Sequence, residues 1–175
     1  MDVAYVVTQL ATLLLFTVFI SDKRKRPGMA PLIDPRATRV LKASYLFPIA
    51  AYGYSLILLR KVGPVDWIAL FCAAVATFLV VRGKLDLGRH HTWTGYHLEG
   101  GHRTRNGIYA ILPHPMYTGI VLMISSCSLV YVSRLPWCLS VAALAACAYV
   151  VAFLVVAAKR ESRALNGTVS ADQCL

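Results

Sequence analysis

Residues 116–158, "MYTGIVLMISSCSLVYVSRLPWCLSVAALAACAYVVAFLVVAA", carry a single charged side chain, Arg134, and it stands in the short connection "SRLPW". Crossing the hydrocarbon of a bilayer takes roughly 20 mostly apolar residues. Backbone groups at that depth must satisfy each other, which leaves the helix as the economical local solution. The stretch therefore reads as two transmembrane helices, Met116–Val132 and Pro136–Ala158, joined as a hairpin. The small residues of "AALAACA" within the second allow a neighbouring backbone to come close.

Working outward, three more stretches qualify or come close: Val65–Val81, Leu41–Leu59 and Val3–Ile20. Ile108–Leu112 adds an interfacial turn before the fourth span. The chain of 175 residues is 58% hydrophobic, with apolar runs on every helix face rather than one. The expected fold is an all-α integral membrane bundle of about five helices forming one domain over 1–175. Residues 1–84 hold the first three spans, 85–165 a distinct functional region with the hairpin, and 166–175 a short tail.

The net charge of +10 is unevenly spread. Most Lys and Arg fall in Lys23–Lys42, Arg82–Arg105 and Lys159–Arg163, which five spans place on one side. By the excess of positive charge in cytoplasmic loops, the N-terminus is expected outside and the C-terminus in the cytoplasm. Contact with anionic membrane lipids accounts for the charge, and nucleic acid is not an expected partner. Val3–Ile20 is followed by "DKRKR" without a small-residue cleavage pattern and reads as a retained span. Four of the five cysteines lie within spans as packing residues, in no metal-binding spacing.

The loop "RGKLDLGRHHTWTGYHLEGGHRTRNG", 82–107, is longer than a connector requires and holds His90, His91, His97 and His102. Their spacing fits no metal box, and no metal is expected. The next residues, "IYAILPHPMYTG" (108–119), place Pro113 and Pro115 around His114 at the mouth of a span. Each proline removes a donor and disfavours helix before it. A helix starting here puts His114 and Tyr117 on one face. Two readings stay open on physical grounds: a helix start with prolines in its first turn, or a ligand site using polar groups at the membrane face.

"GIYAILPHPMYTG" resembles the G-x-Y-x-x-x-R-H-P-x-Y-x-G signature of the isoprenylcysteine carboxyl methyltransferase and phospholipid methyltransferase superfamily. Gly107, Tyr109, His114, Pro115, Tyr117 and Gly119 match it. The preceding loop is similar to the family's L-G-R-x-x-T…E-G-H segment, and "KRESRAL" to its E-E-x-x-L, with Glu161 and Leu165 in place. Pro113 stands where the signature has arginine, and Ser162 where it has a second glutamate.

The resemblance implies an integral membrane enzyme using S-adenosyl-L-methionine. His102, Gly107, Tyr109, His114, Pro115, Tyr117, Gly119 and Glu161 would hold the cofactor, and His114, Tyr117 and Glu161 would serve the chemistry. Glu161 would pair with the cofactor's ammonium. The acceptor would be lipophilic and enter from the bilayer: a prenylated cysteine carboxylate first, a phospholipid amine second. A non-catalytic scaffold that has kept the fold is the competing class. The expected location is the endoplasmic reticulum membrane in a eukaryote, or the inner membrane in a bacterium.

Overall fold

A computed structural model describes residues 3–20, 29–31, 34–59, 61–88, 96–98 and 106–172. Five helices make the body: α1 (Val3–Ile20), α2 (Pro35–Ile57), α3 (Pro64–Leu87), α4 (Pro115–Val132) and α5 (Trp137–Asp172). Two three-residue strands, β1 (Met29–Pro31) and β2 (Tyr96–Leu98), pair antiparallel with Ala30 opposite His97. That ladder ties the first basic loop to the histidine-rich one, and hydropathy gave no sign of it.

Among the described residues, four helices are long and apolar enough to cross a membrane: α1, α3, α4 and the Trp137–Arg163 part of α5. α2 falls outside that group because Tyr45, Pro48, Tyr52, Gly53, Tyr54 and Ser55 dilute its apolar residues. Its path nevertheless runs the length of the bundle. Tyr5 Oη donates to the Asp66 carbonyl at one end, 3.4 Å, and Lys84 Nζ to the Phe19 carbonyl at the other, 2.7 Å. α1 and α3 are thus parallel, and α2 between them must return across the same thickness. Tyr45 and Pro48 of α2 accordingly share one cavity wall with Phe16, Met123, Cys127 and Val150.

α3 and α4 are antiparallel and the most closely packed pair. Ser126 Oγ donates to the Ala69 carbonyl at 2.6 Å, and Asp66 pairs with Arg134 where the two helices meet the far end. Gly119 makes the approach possible: a Cβ there would lie 2.8 Å from both the Ala76 carbonyl oxygen and Val80 Cγ2. One turn nearer the helix start, Pro115 and Met116 pack on Gly83 of α3. The core between the helices includes Tyr5, Tyr52, Val80, Val130, Tyr131 and Val150. Leu14, Ile57, Phe71, Phe78 and Trp137 point outward; such an apolar exterior suits lipid rather than water.

Two helices outrun their apolar segments. α3 continues through Arg82–Leu87 to Gly88, whose φ of +50° ends it. α5 continues past Ala158 through "KRESRAL" to Asp172. Hydropathy measures hydrocarbon thickness, whereas Lys, Arg, Glu, Ala and Leu are good helix formers in water as well. The extensions matter: they carry Asp86, Glu161 and Ser162 to one end of the bundle.

Candidate active site

Asp86, in the last turn of α3, is the seat of the segment that leads into α4. Its Oδ2 accepts the Ile108 N–H at 2.8 Å, and its Oδ1 pairs with Arg82 at 3.0 Å. Directly over the carboxylate lies Gly107, with φ +61°. A Cβ at Gly107 would fall 2.2 Å from Asp86 Oδ2, so both the backbone conformation and the space require glycine. From there Gly107–Ala110 forms a 3-10 turn, closed by Ile111 N–H and Leu112 N–H on the Ile108 carbonyl at 3.1 and 2.9 Å.

The turn leaves Tyr109 between two acids. Burial raises its phenol pKa above the ordinary tyrosine value, and the charges of Glu161 and then Asp86 add to the rise. Tyr109 therefore stays a neutral donor.

His114 is the N-cap of α4, with Pro115 in the first helical position. The carbonyl of His114 receives both the Thr118 N–H at 3.0 Å and the Thr118 hydroxyl at 3.1 Å. At the level of backbone the double proline is thus a helix start, as one of the two readings held. Its side chains do more. The His114 and Tyr117 rings stack 5.5 Å apart, 12° from parallel. Tyr117 Oη donates to Glu161 Oε2 at 3.1 Å, and His114 Nδ1 faces the same oxygen at 3.9 Å. On its other side His114 Nε2 meets Ser162 Oγ at 3.1 Å. About a quarter of the His114 and Glu161 side chains is exposed, which keeps the carboxylate within reach of a ligand.

Glu161 is therefore brought to His114 and Tyr117 from 44 and more residues away; Tyr109 lies near both Glu161 and Asp86, and Gly107 lies over Asp86. Pro115 and Gly119 are buried against α3, and the close approach there requires glycine at 119. His102 lies outside the described residues. Two residues were missed from sequence. Asp86 follows Arg82 by four and looked like an ordinary pair on a helix surface. Ser162 registered only as a missing glutamate.

The charge pattern has a chemical meaning. Glu161 accepts from the Tyr117 phenol, stands beside the His114 imidazole and is about a quarter exposed. An ammonium group offers N–H donors that a carboxylate accepts strongly, and S-adenosylmethionine carries one beside its sulfonium. The donor set fits that cofactor.

A family model for phospholipid methyltransferases matches residues 65–166, more than half of the chain. The match takes in α3, the 3-10 turn, α4 and the part of α5 that bears Glu161 and Ser162. No curated protein and no solved structure matches. With His114 and Tyr117 of the signature meeting Glu161 and the family model running across the elements that bring them together, the chain belongs to the phospholipid methyltransferase family, within the isoprenylcysteine carboxyl methyltransferase and phospholipid methyltransferase superfamily.

Proposed function

We propose that this membrane methyltransferase transfers the methyl group of S-adenosylmethionine to the amine of a phospholipid headgroup. The observation that carries the reading is the meeting of Glu161 with His114 and Tyr117 at one end of a bundle whose outer surface is apolar. A lipid headgroup reaches that end while its chains stay in the bilayer. The proposed side is the cytoplasmic one, where a charged cofactor is supplied.

The bound cofactor supplies an activated methyl on a sulfonium sulfur. The protein's work is then placement and desolvation. Glu161 binds the cofactor's ammonium, with Tyr117 holding the carboxylate in direction. His114, stacked on Tyr117, would be the base that takes the proton an ammonium headgroup must lose before its nitrogen attacks. Asp86 fixes the turn that carries Tyr109 against the same acids.

Carboxyl methylation of a prenylated cysteine is the second reading. Its support is the "LGRHHT…EGGH" loop, which is similar to the isoprenylcysteine branch but lies largely outside the described residues. Membranes containing the protein are to be given methyl-labelled cofactor with phosphatidylethanolamine or with a prenylcysteine. Label in the phospholipid, lost in His114→Ala and Glu161→Gln, is the expected result. Label in the prenylcysteine alone overturns the amine assignment, and label in neither overturns both.

A further inference from the structure

Serine and threonine within a helix ordinarily turn their hydroxyls back onto the carbonyl four residues earlier. Thr12, Thr77, Ser125 and Ser128 do so here, at 2.8 to 2.9 Å. Ser162 behaves differently. Its hydroxyl reaches across to α4 and meets Nε2 of His114 at 3.1 Å. Glu161, the preceding residue of α5, is rotated about 100° around the helix and faces Nδ1 of the same ring at 3.9 Å. Two consecutive residues of one helix thus address the two nitrogens of one imidazole.

We propose that Ser162 is a positioning residue of this site: its hydroxyl donates to Nε2 of His114 and holds the ring neutral, with its proton on Nδ1 toward Glu161. The inference rests on the site reading above and deepens it. A neutral imidazole has one N–H donor and one bare nitrogen acceptor. The carboxylate of Glu161 only accepts, so the proton belongs on the nitrogen that faces it. Nε2 is then the acceptor, and a hydroxyl, which can donate, satisfies it.

A glutamate at 162 would reverse this. Being acceptor-only when ionised, it favours a proton on Nε2 as well and makes the ring an imidazolium between two carboxylates. Such a ring has no lone pair with which to take a proton from an acceptor. Serine leaves a lone pair on Nε2, which can take that proton once the Ser162 hydroxyl swings off it. The exchange is also balanced in charge. The position beside His114 that is arginine in the superfamily signature is Pro113 here, so one cation and one anion are absent from the same corner.

Ser162 acts at a distance from the chemistry, through the ring. His114 lies 12° from parallel to Tyr117, and Tyr117 holds Glu161. A ring released from Ser162 can rotate off that stack, and Glu161 loses its fixed direction.

The test uses the full chain in detergent micelles, labelled with 15N-histidine, with His114→Asn identifying the His114 signals. Wild type at neutral pH is expected to show His114 protonated on Nδ1 alone. Ser162→Ala is expected to populate the Nε2–H tautomer, Ser162→Thr to restore the wild-type pattern, and Ser162→Glu to protonate both nitrogens. Affinity for S-adenosylhomocysteine is expected to fall about fivefold in Ser162→Ala, the change that one neutral hydrogen bond carries, and to recover in Ser162→Thr. An imidazolium in wild type, or His114 signals identical in wild type and Ser162→Ala, overturns the proposal. A Nδ1–H ring in a wild-type protein that binds no S-adenosylhomocysteine upholds the positioning and overturns the function assigned to the site.

Discussion

Gly107→Ala is expected to loosen the whole lead-in to α4, and replacing Asp86 is expected to undo part of the damage. Two costs combine in the single variant. A non-glycine residue in the left-handed region loses roughly 1–2 kcal/mol, and Gly107 has φ +61°. The new methyl would also lie 2.2 Å from Asp86 Oδ2, so the carboxylate must move. In moving it releases the Ile108 N–H, now 2.8 Å away, and a hydrogen bond to a charged group contributes about 1.5–3 kcal/mol. The pair with Arg82, partly exposed and four residues earlier, adds only a few tenths. The local loss is therefore about 2.5–5 kcal/mol, or roughly two to four decades in the opening equilibrium at about 1.36 kcal/mol per decade.

Amide hydrogen exchange at Ile108, followed by mass spectrometry on detergent-purified protein, reads that opening directly. Exchange in Gly107→Ala should accelerate by at least 100-fold on the same arithmetic. In Asp86→Ala the hydrogen bond is already gone, so adding Gly107→Ala should cost only the backbone term, about tenfold or slightly more. Strict additivity of the two substitutions would refute the account, because it would mean that the carboxylate and the glycine do not meet.

Other consequences can be checked in the same preparation. Tyr117→Phe removes the phenol that holds Glu161 and should weaken S-adenosylhomocysteine binding about tenfold without lowering thermal stability by more than a degree or two, since the site is only partly buried. Asp66→Ala should do the reverse: it strands the partly buried Arg134 at the opposite end of the bundle, costs on the order of 2–4 kcal/mol, and leaves affinity unchanged. Gly119→Ala should destabilise by about 1–3 kcal/mol through overpacking against Ala76 and Val80, seen as a lowered unfolding temperature. Tyr109 has a folded pKa above its unfolded value near 10. Its contribution is therefore complete below pH 10 and is lost as pH rises toward the higher folded value. Tyr109→Phe should lose less stability than wild type between about pH 10 and 11.

Much of this was legible in the residues. The hairpin of α4 and α5 follows from one charged side chain between two apolar runs. His114, Tyr117 and Glu161 could be singled out because their residue types match a signature, and a hairpin brings its two ends together. What hydropathy could not give is how far a helix runs beyond the hydrocarbon. α3 reaches Leu87 and α5 reaches Asp172, and Asp86 and Ser162 act only because of those turns. Gly107 could be read as a turn residue, but its need for a positive φ depends on the carboxylate beneath it, a contact 21 residues back in the chain. Pro115 and Gly119 were assigned to the cofactor by their place in the signature. The structure sets them against α3, a packing role that pattern alone does not separate from a binding one.

The central claim is that Glu161, steered by Tyr117 and His114, holds the cationic end of the cofactor. Isothermal titration of S-adenosylhomocysteine into detergent-purified wild type, Glu161→Gln and Asp66→Asn tests it most directly. Wild type and Asp66→Asn are predicted to bind one equivalent with matching affinity, and Glu161→Gln to bind at least tenfold more weakly. Equal affinity in wild type and Glu161→Gln, or no binding to wild type, would contradict it.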